Sequence, residues 1–199
     1  MEEITQILGF FLGDGFWLDG RIAFSNKNED LIKYYEKILN EVGFKSKLYK
    51  RKKPDDRKNE FTLVAERKLT NEIKCNLEDI ELNNIEKCKA FLRGVFDAEG
   101  CIDFSSTRRG RLVKITNTDK KLISLVEYCL TQLGMKHKIS LVIEHRPNRR
   151  NYFNIKMYGK DSINFIKTVR PYKIFSKNYL QGKVHQNYMH LFDSSTCRT

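Results

Sequence analysis

Two carboxylates, Asp14 and Glu99, stand at equivalent places in two stretches of one design. Residues 7–15 read ILGFFLGDG and residues 92–100 read LRGVFDAEG. Each is an apolar helical end with small residues four apart, Gly9 and Gly13 in the first and Gly94 and Ala98 in the second, followed by an acid and a glycine. Residues four apart share a helix face, so each pair leaves a smooth groove where a second backbone can pack close. Packing the two helices side by side brings both acids together, with Gly15 and Gly100 expected as left-handed C-terminal caps. A carboxylate there faces the negative end of the helix dipole, and a second one nearby adds like-charge repulsion. A divalent cation relieves both. Hard donors suit Mg²⁺, which keeps several waters and completes its shell with substrate phosphate. The donors available are the carboxylates of Asp14 and Glu99 and the last-turn carbonyls of Gly13 and Ala98.

The elements that carry these acids repeat. Ile4, Ile7, Leu8, Phe11 and Leu12 predict a helix over 2–14, followed by a hairpin over 16–25 turning at Asp19-Gly20. Asn26 and Glu29 read as a capping box for a helix through Leu31, Ile32, Tyr35, Ile38, Leu39 and Val42, stopped by Gly43. A strand over 44–52 alternates Phe44 and Leu48 with Lys45, Lys47, Tyr49 and Arg51. A turn at Pro54, a strand over 60–65 and a helix over 68–75 close the first half.

Leu122, Ile123 and Gly134 repeat Leu31, Ile32 and Gly43 at an offset of 91, which marks an internal duplication. The strand over 135–144 is expected to bury Met135, Ile139, Leu141 and Ile143 and to expose Lys136, Lys138 and Ser140. The strand over 151–158 is expected to bury Phe153, Ile155 and Met157 and to show Tyr152, Asn154 and Lys156; a helix over 161–169 completes the copy. The motifs themselves are 85 apart, so the second half gained six residues in its first hairpin, whose tip carries Arg108 and Arg109. The chain therefore divides into a first half (1–78), a linker (79–90), a second half (91–171) and an extension (172–199). Asn83 and Glu86 read as a capping box for the second motif helix. In the extension, Phe175, Tyr179 and Leu180 are expected to form a helix against the core.

The chain has 199 residues, 12% of them aromatic, and a formal net charge of +12, so nucleic acid is the first partner to consider. No apolar run approaches the roughly 20 residues of a membrane span, and the start Met1-Glu2-Glu3 lacks the basic region of a signal peptide. A soluble intracellular protein, in cytoplasm or organelle, is expected. Five cysteines, odd in number and widely spaced, indicate neither a disulfide framework nor a zinc site.

The paired stretches resemble the LAGLIDADG motifs of homing endonucleases in the single-chain, two-motif form, over about residues 4–170. The resemblance implies an α+β fold of two pseudo-symmetric αββαββα halves. Antiparallel sheets form a DNA-binding saddle, and the halves pack through the two motif helices. It also implies a monomer that binds double-stranded DNA and cuts one phosphodiester per strand of an asymmetric target of roughly 20 base pairs. Asp14 and Glu99 are the implied metal ligands, with Mg²⁺ as cofactor and Ca²⁺ able to support binding without cleavage. Polar or basic residues near the metals match Asn26, Lys27 and Asn117; Thr118 stands where Lys27 stands in the first half, so one cation is lost, and Lys114 is a candidate to replace it. DNA contacts are expected from Arg21, Ser25, Lys45, Lys47, Tyr49, Arg51, Arg108, Arg109, Lys114, Lys136, Lys138, Asn154 and Lys156. An intron-encoded nuclease is the leading reading; an RNA-binding maturase of the host intron and a noncatalytic DNA-binding protein are the alternatives.

Overall fold

The computed structural model describes residues 2–51, 60–78, 80–103 and 112–175. Each half follows the same order. The first runs α1 (Glu2–Asp14), β1 (Gly15–Leu18), β2 (Arg21–Asn26), α2 (Glu29–Glu41), β3 (Ser46–Arg51), β4 (Glu60–Ala65) and α3 (Arg67–Glu78). The second runs α4 (Ile85–Glu99), β5 (Gly100–Asp103), β6 (Leu112–Asn117), α5 (Lys120–Gln132), β7 (Lys138–Val142), β8 (Tyr152–Tyr158) and α6 (Gly159–Val169). A short helix α7 (Tyr172–Phe175) ends the described chain. Helix α4 starts at Ile85, inside the stretch expected as linker. No described helix is long and apolar enough to cross a membrane. Of the cysteines, Cys75, Cys88, Cys101 and Cys129 are free, with Cys88 and Cys129 buried.

Each half builds a four-stranded antiparallel sheet, in the orders β1-β2-β4-β3 and β5-β6-β8-β7. The two-residue turn between β1 and β2 needs left-handed backbone, which Asp19 (φ 49°) and Gly20 (φ 72°) supply. In the first sheet Phe24, Leu63 and Leu48 lie abreast and face α2; in the second Ile115, Ile155 and Ile139 take the same place. Period two then puts Ser25, Thr62 and Tyr49, and Thr116, Asn154 and Ser140, on the opposite faces. Leu141 and Ile143, expected in the core, are 54% and 61% exposed. Leu141 pairs with Phe153 one row beyond the last core row, and Ile143 lies past the end of edge strand β7.

The halves meet through α1 and α4. The apolar side chains form one core in each half, and the seam interlocks them: Ala98 of α4 belongs to the first-half core, while Leu12 of α1 touches both. A methyl group on Gly9 would collide with the carbonyl of Phe91, one on Gly94 with the carbonyl of Gln6, and one on Gly13 with the methyl of Ala98. The small residues are there because each helix backbone lies against the other.

Four expected helix ends differ. Gly100 is extended (φ −78°, ψ 151°) and Gly15 likewise has no positive φ; both open a strand instead of capping a helix. A side chain at Gly15 would run into the ring of Phe11, and one at Gly100 into that of Phe96, so these glycines answer to space. Helix α2 is capped by Asn28, whose side chain accepts from the backbone N–H of Asp30 at 3.1 Å and of Leu31 at 3.3 Å, and α4 by Asn84, which accepts from Lys87 at 2.8 Å. Asn26 and Asn83, the expected caps, sit outside both helices.

Candidate active site

Strand β2 delivers Asn26 and strand β6 delivers Asn117 to the C-terminal ends of the motif helices. The Asn26 side-chain amide donates to Asp14 Oδ2 at 2.7 Å, and that of Asn117 donates to Glu99 Oε1 at 2.7 Å. The other end of each side chain is committed: Asn26 Oδ1 accepts from the backbone N–H of Asn28 at 3.0 Å, and Asn117 Oδ1 from that of Asp119 at 2.8 Å. A turn of this kind fixes the amide so that only its N–H groups face the acid. Asp14 and Glu99 are thus held by the same device, related by the internal repeat.

The two acids are close enough to repel. Burial raises the Asp14 carboxyl above its ordinary value, against the pull of Asn26 and Lys173. Glu99 is pushed up to about 7, first by burial and then by the Asp14 charge. Its side chain lies against the seam, since a methyl on Gly13 would stand 3.1 Å from Glu99 Cγ. Two half-buried carboxylates crowded in this way form an oxygen donor set that fits a hard divalent cation. Among the described residues no group of three or more His, Cys, Asp or Glu side chains could hold a metal. A cation here would draw on the two acids, the Gly13 carbonyl, water and a substrate phosphate.

Two residues at this centre escaped the sequence reading. Asp97 is fully buried, accepting from the Tyr35 hydroxyl at 3.1 Å and from the backbone N–H of Lys173 at 2.8 Å. Burial lifts its carboxyl to about 7. Its signal was legible: an acid inside an apolar helix, at the position where the first motif has Leu12. Lys173 donates from Nζ to the carbonyls of Gly100 at 2.9 Å and Ala98 at 3.3 Å. The Ala98 carbonyl, expected as a metal ligand, therefore accepts an ammonium group. Nothing in the sequence marked Lys173, which follows the last repeated element.

The predicted nucleic-acid contacts divide by place. Lys114, Lys156 and Lys138 lie abreast on β6, β8 and β7, on the face away from the core, and continue to Cys101 on β5. The corresponding row of the first sheet is Phe16, Ala23, Val64 and Lys47. Ser25, Tyr49 and Arg51 share the outer face with Lys47, and Arg21 pairs with Leu18 at the hairpin end. Lys45 and Lys136 are exposed just before β3 and β7, and Lys27 and Thr118 just after the two asparagines. Asn154, expected on the surface, is only 6% exposed, and its Oδ1 accepts from Thr116 Oγ1 at 2.6 Å across the strand pair. Arg108 and Arg109, and the turn at Pro54, lie outside the described residues. A cavity of about 630 Å³ beside Glu99 is lined by Asn117, Thr118, Arg149 and Arg150, the last two absent from the expected contacts.

Helices packed through small residues, acid-tipped ends and a duplicated αββαββα half define a class, and comparison names it. The chain matches the LAGLIDADG-like domain family over residues 2–81 and again over 86–169. It belongs to the LAGLIDADG homing endonuclease family, in the single-chain, two-motif form. It is similar to the homing endonuclease I-DmoI of Desulfurococcus mucosus, with 27% identity over 83% of this chain and 86% of that protein. The structure of I-DmoI in complex with DNA and Mn superposes with a TM-score of 0.62 and 26% identity, covering 84% of this chain and 96% of that one. The complex of I-DmoI with DNA and Ca gives a TM-score of 0.63 at 26% identity, over 84% and 88%. A replication factor C small subunit of Methanocaldococcus jannaschii is 26% identical over 81% of this chain, which spans only 9% of that protein.

Proposed function

We propose that the protein is a site-specific DNA endonuclease that hydrolyses one phosphodiester in each strand with the help of divalent metal, Mg²⁺ in the first instance. The observation that carries this reading is the matched pair Asn26–Asp14 and Asn117–Glu99 at the ends of two helices in backbone contact. The relatives add support: I-DmoI is named a homing endonuclease, and its structures include complexes with DNA and Mn or Ca.

A divalent cation bound at such a pair supplies Lewis-acid stabilisation of charge on a phosphate and readier deprotonation of water. The chain's own residues do the rest. Asp14 and Glu99 would hold the cation, and the two asparagines keep one oxygen of each acid turned in place. Lys27 in the first half is an exposed cation one residue beyond Asn26, placed to meet a phosphate near the cut. In the second half Thr118 cannot do this, but Arg149 and Arg150 line the same cavity as Glu99 and Thr118. The outer sheet faces bind the flanking duplex: lysines meet phosphate or guanine edges, and Ser25 and Tyr49 reach base edges in the major groove. Two halves each spanning about one duplex turn give a target of roughly 20 base pairs.

The test is cleavage of a plasmid library carrying randomised or candidate intron-insertion sites, with Mg²⁺ present. Linear product that disappears with Asp14→Asn and with Glu99→Gln, while DNA binding persists, is the expected result. Binding to DNA without cleavage of any bound sequence by the wild type would overturn it.

A further inference from the structure

Lys173 brings a tethered ammonium group to the point where the motif helices end. Its backbone is anchored on both sides of the seam. The ring of Tyr172 stacks on Tyr34 of α2, with centroids 4.0 Å apart and planes 4° from parallel, and the Lys173 N–H donates to Asp97 Oδ1 at 2.8 Å. From that fixed base the side chain turns to the end of α4 and donates to the carbonyls of Gly100 and Ala98. Burial works against its charge and lowers its pKa, while the acids Asp14, Asp97 and Glu99 around it favour the ammonium form. The position 91 residues earlier holds Leu82, an apolar member of the second-half core, so the repeat itself supplies no second lysine there.

We propose that Lys173 is a positioning residue of the cation site: a resident positive charge that holds the acid-tipped ends together in the metal-free protein and competes with the metal when it binds. The proposal rests on the nuclease reading only in taking Asp14 and Glu99 as the metal-binding pair. An ammonium on the Ala98 carbonyl leaves that oxygen unavailable to a cation and puts like charge beside the place the cation must occupy. The second-half shell thereby loses an oxygen that the motif would otherwise offer. Removing the charge has two effects of opposite sign: the metal-free acid pair loses its counter-ion, while an arriving cation loses a competitor.

Lys173→Met keeps the stem and removes the charge; Lys173→Arg keeps the charge. Mn²⁺ binding is measured by calorimetry without DNA, and thermal unfolding in EDTA and in Mn²⁺. Lys173→Met is expected to bind Mn²⁺ roughly tenfold more tightly, to unfold at lower temperature in EDTA, and to be stabilised more by Mn²⁺ than the wild type. Lys173→Arg should stay near the wild type in all three. A folded Lys173→Met with unchanged or weaker Mn²⁺ binding overturns the proposal, since a lysine that only braces α7 would give that result. Should Lys173→Met not fold, Lys173→Gln removes the charge with a polar stem and is judged by the same criteria. Wild-type protein that binds no Mn²⁺ overturns this proposal and the acid-pair reading together; wild-type binding with an unaltered variant overturns this one alone.

Discussion

Asn117 donates to the Glu99 carboxylate at 2.7 Å from the last residue of a strand, and the far end of its own amide is locked by the N–H of Asp119. The acid is therefore aimed by a residue that is itself aimed. Outer-shell partners of this kind typically change metal affinity or activity by about 10–100-fold when removed. Asn117→Ala should slow cleavage of one DNA strand by that factor, and Asn26→Ala the other, with DNA affinity nearly unchanged. Strand-specific end labels on a substrate of one defined site give the readout: accumulation of a nicked intermediate, with opposite strands nicked in the two variants. Equal slowing of both strands would count against separate centres.

Asp97 makes the metal-free protein sensitive to pH. Its folded-state pKa, about 7, stands above the 3.8 of an unperturbed aspartate because burial penalises the charge. Between those values the folded state holds the proton more tightly than the unfolded chain. The contribution to stability is thus fully present below about pH 4 and is lost as pH rises through 7. Asp97→Asn fixes the neutral form. In EDTA it should match the wild type near pH 4 and exceed it above pH 7 by up to about 4 kcal/mol, as read from urea unfolding at several pH values. A constant difference across that range would show that the carboxyl does not titrate there.

Lys114, Lys156 and Lys138 stand side by side on adjacent strands, where like charges repel. The phosphates of a duplex laid along this face neutralise those charges, and the duplex gives up condensed counter-ions in turn. Replacing the three with Gln should weaken DNA binding and flatten the salt dependence of the affinity by about 0.9 for each phosphate no longer neutralised. The protein itself should become no less stable. In the first sheet only Lys47 occupies that row, so Lys47→Gln should flatten the slope by the share of a single phosphate at most. Fluorescence anisotropy between about 50 and 200 mM salt separates these outcomes.

Much of this was readable in the sequence because it is periodic. The span of α1, the Asp19-Gly20 turn and the repeat at 91 follow from hydrophobic spacing and turn chemistry, and the small residues four apart did announce a close helix seam. What was missed depends on which of several adjacent polar residues takes a given job. Asn26, Asn28, Asn83 and Asn84 are equally good caps by type, and only the position of Asp14 decides that Asn26 leaves the helix start to Asn28. Glycines at 15 and 100 looked like left-handed caps because sequence cannot weigh φ against the nearby rings of Phe11 and Phe96. Lys173 lay beyond the repeat, where no internal comparison could single it out.

Gly94 offers the most direct test of the seam. A Cβ there would lie 2.7 Å from the backbone nitrogen of Phe10 and 3.0 Å from the carbonyl carbon of Gln6, and would collide with the Gln6 oxygen. These are atoms of a helix backbone, which cannot rotate aside as a side chain would. Gly94→Ala should therefore cost about 3 kcal/mol as overpacking, despite the better helix propensity of alanine. Gly134 is the control: nothing lies within 4 Å of its Cβ position, but its φ of 64° is left-handed, so Gly134→Ala should cost only about 1 kcal/mol. Denaturant midpoints with unchanged slopes would establish the ranking. If Gly94→Ala proved the milder of the two, the helices could not be in backbone contact, and the meeting of Asp14 with Glu99 would have to be abandoned.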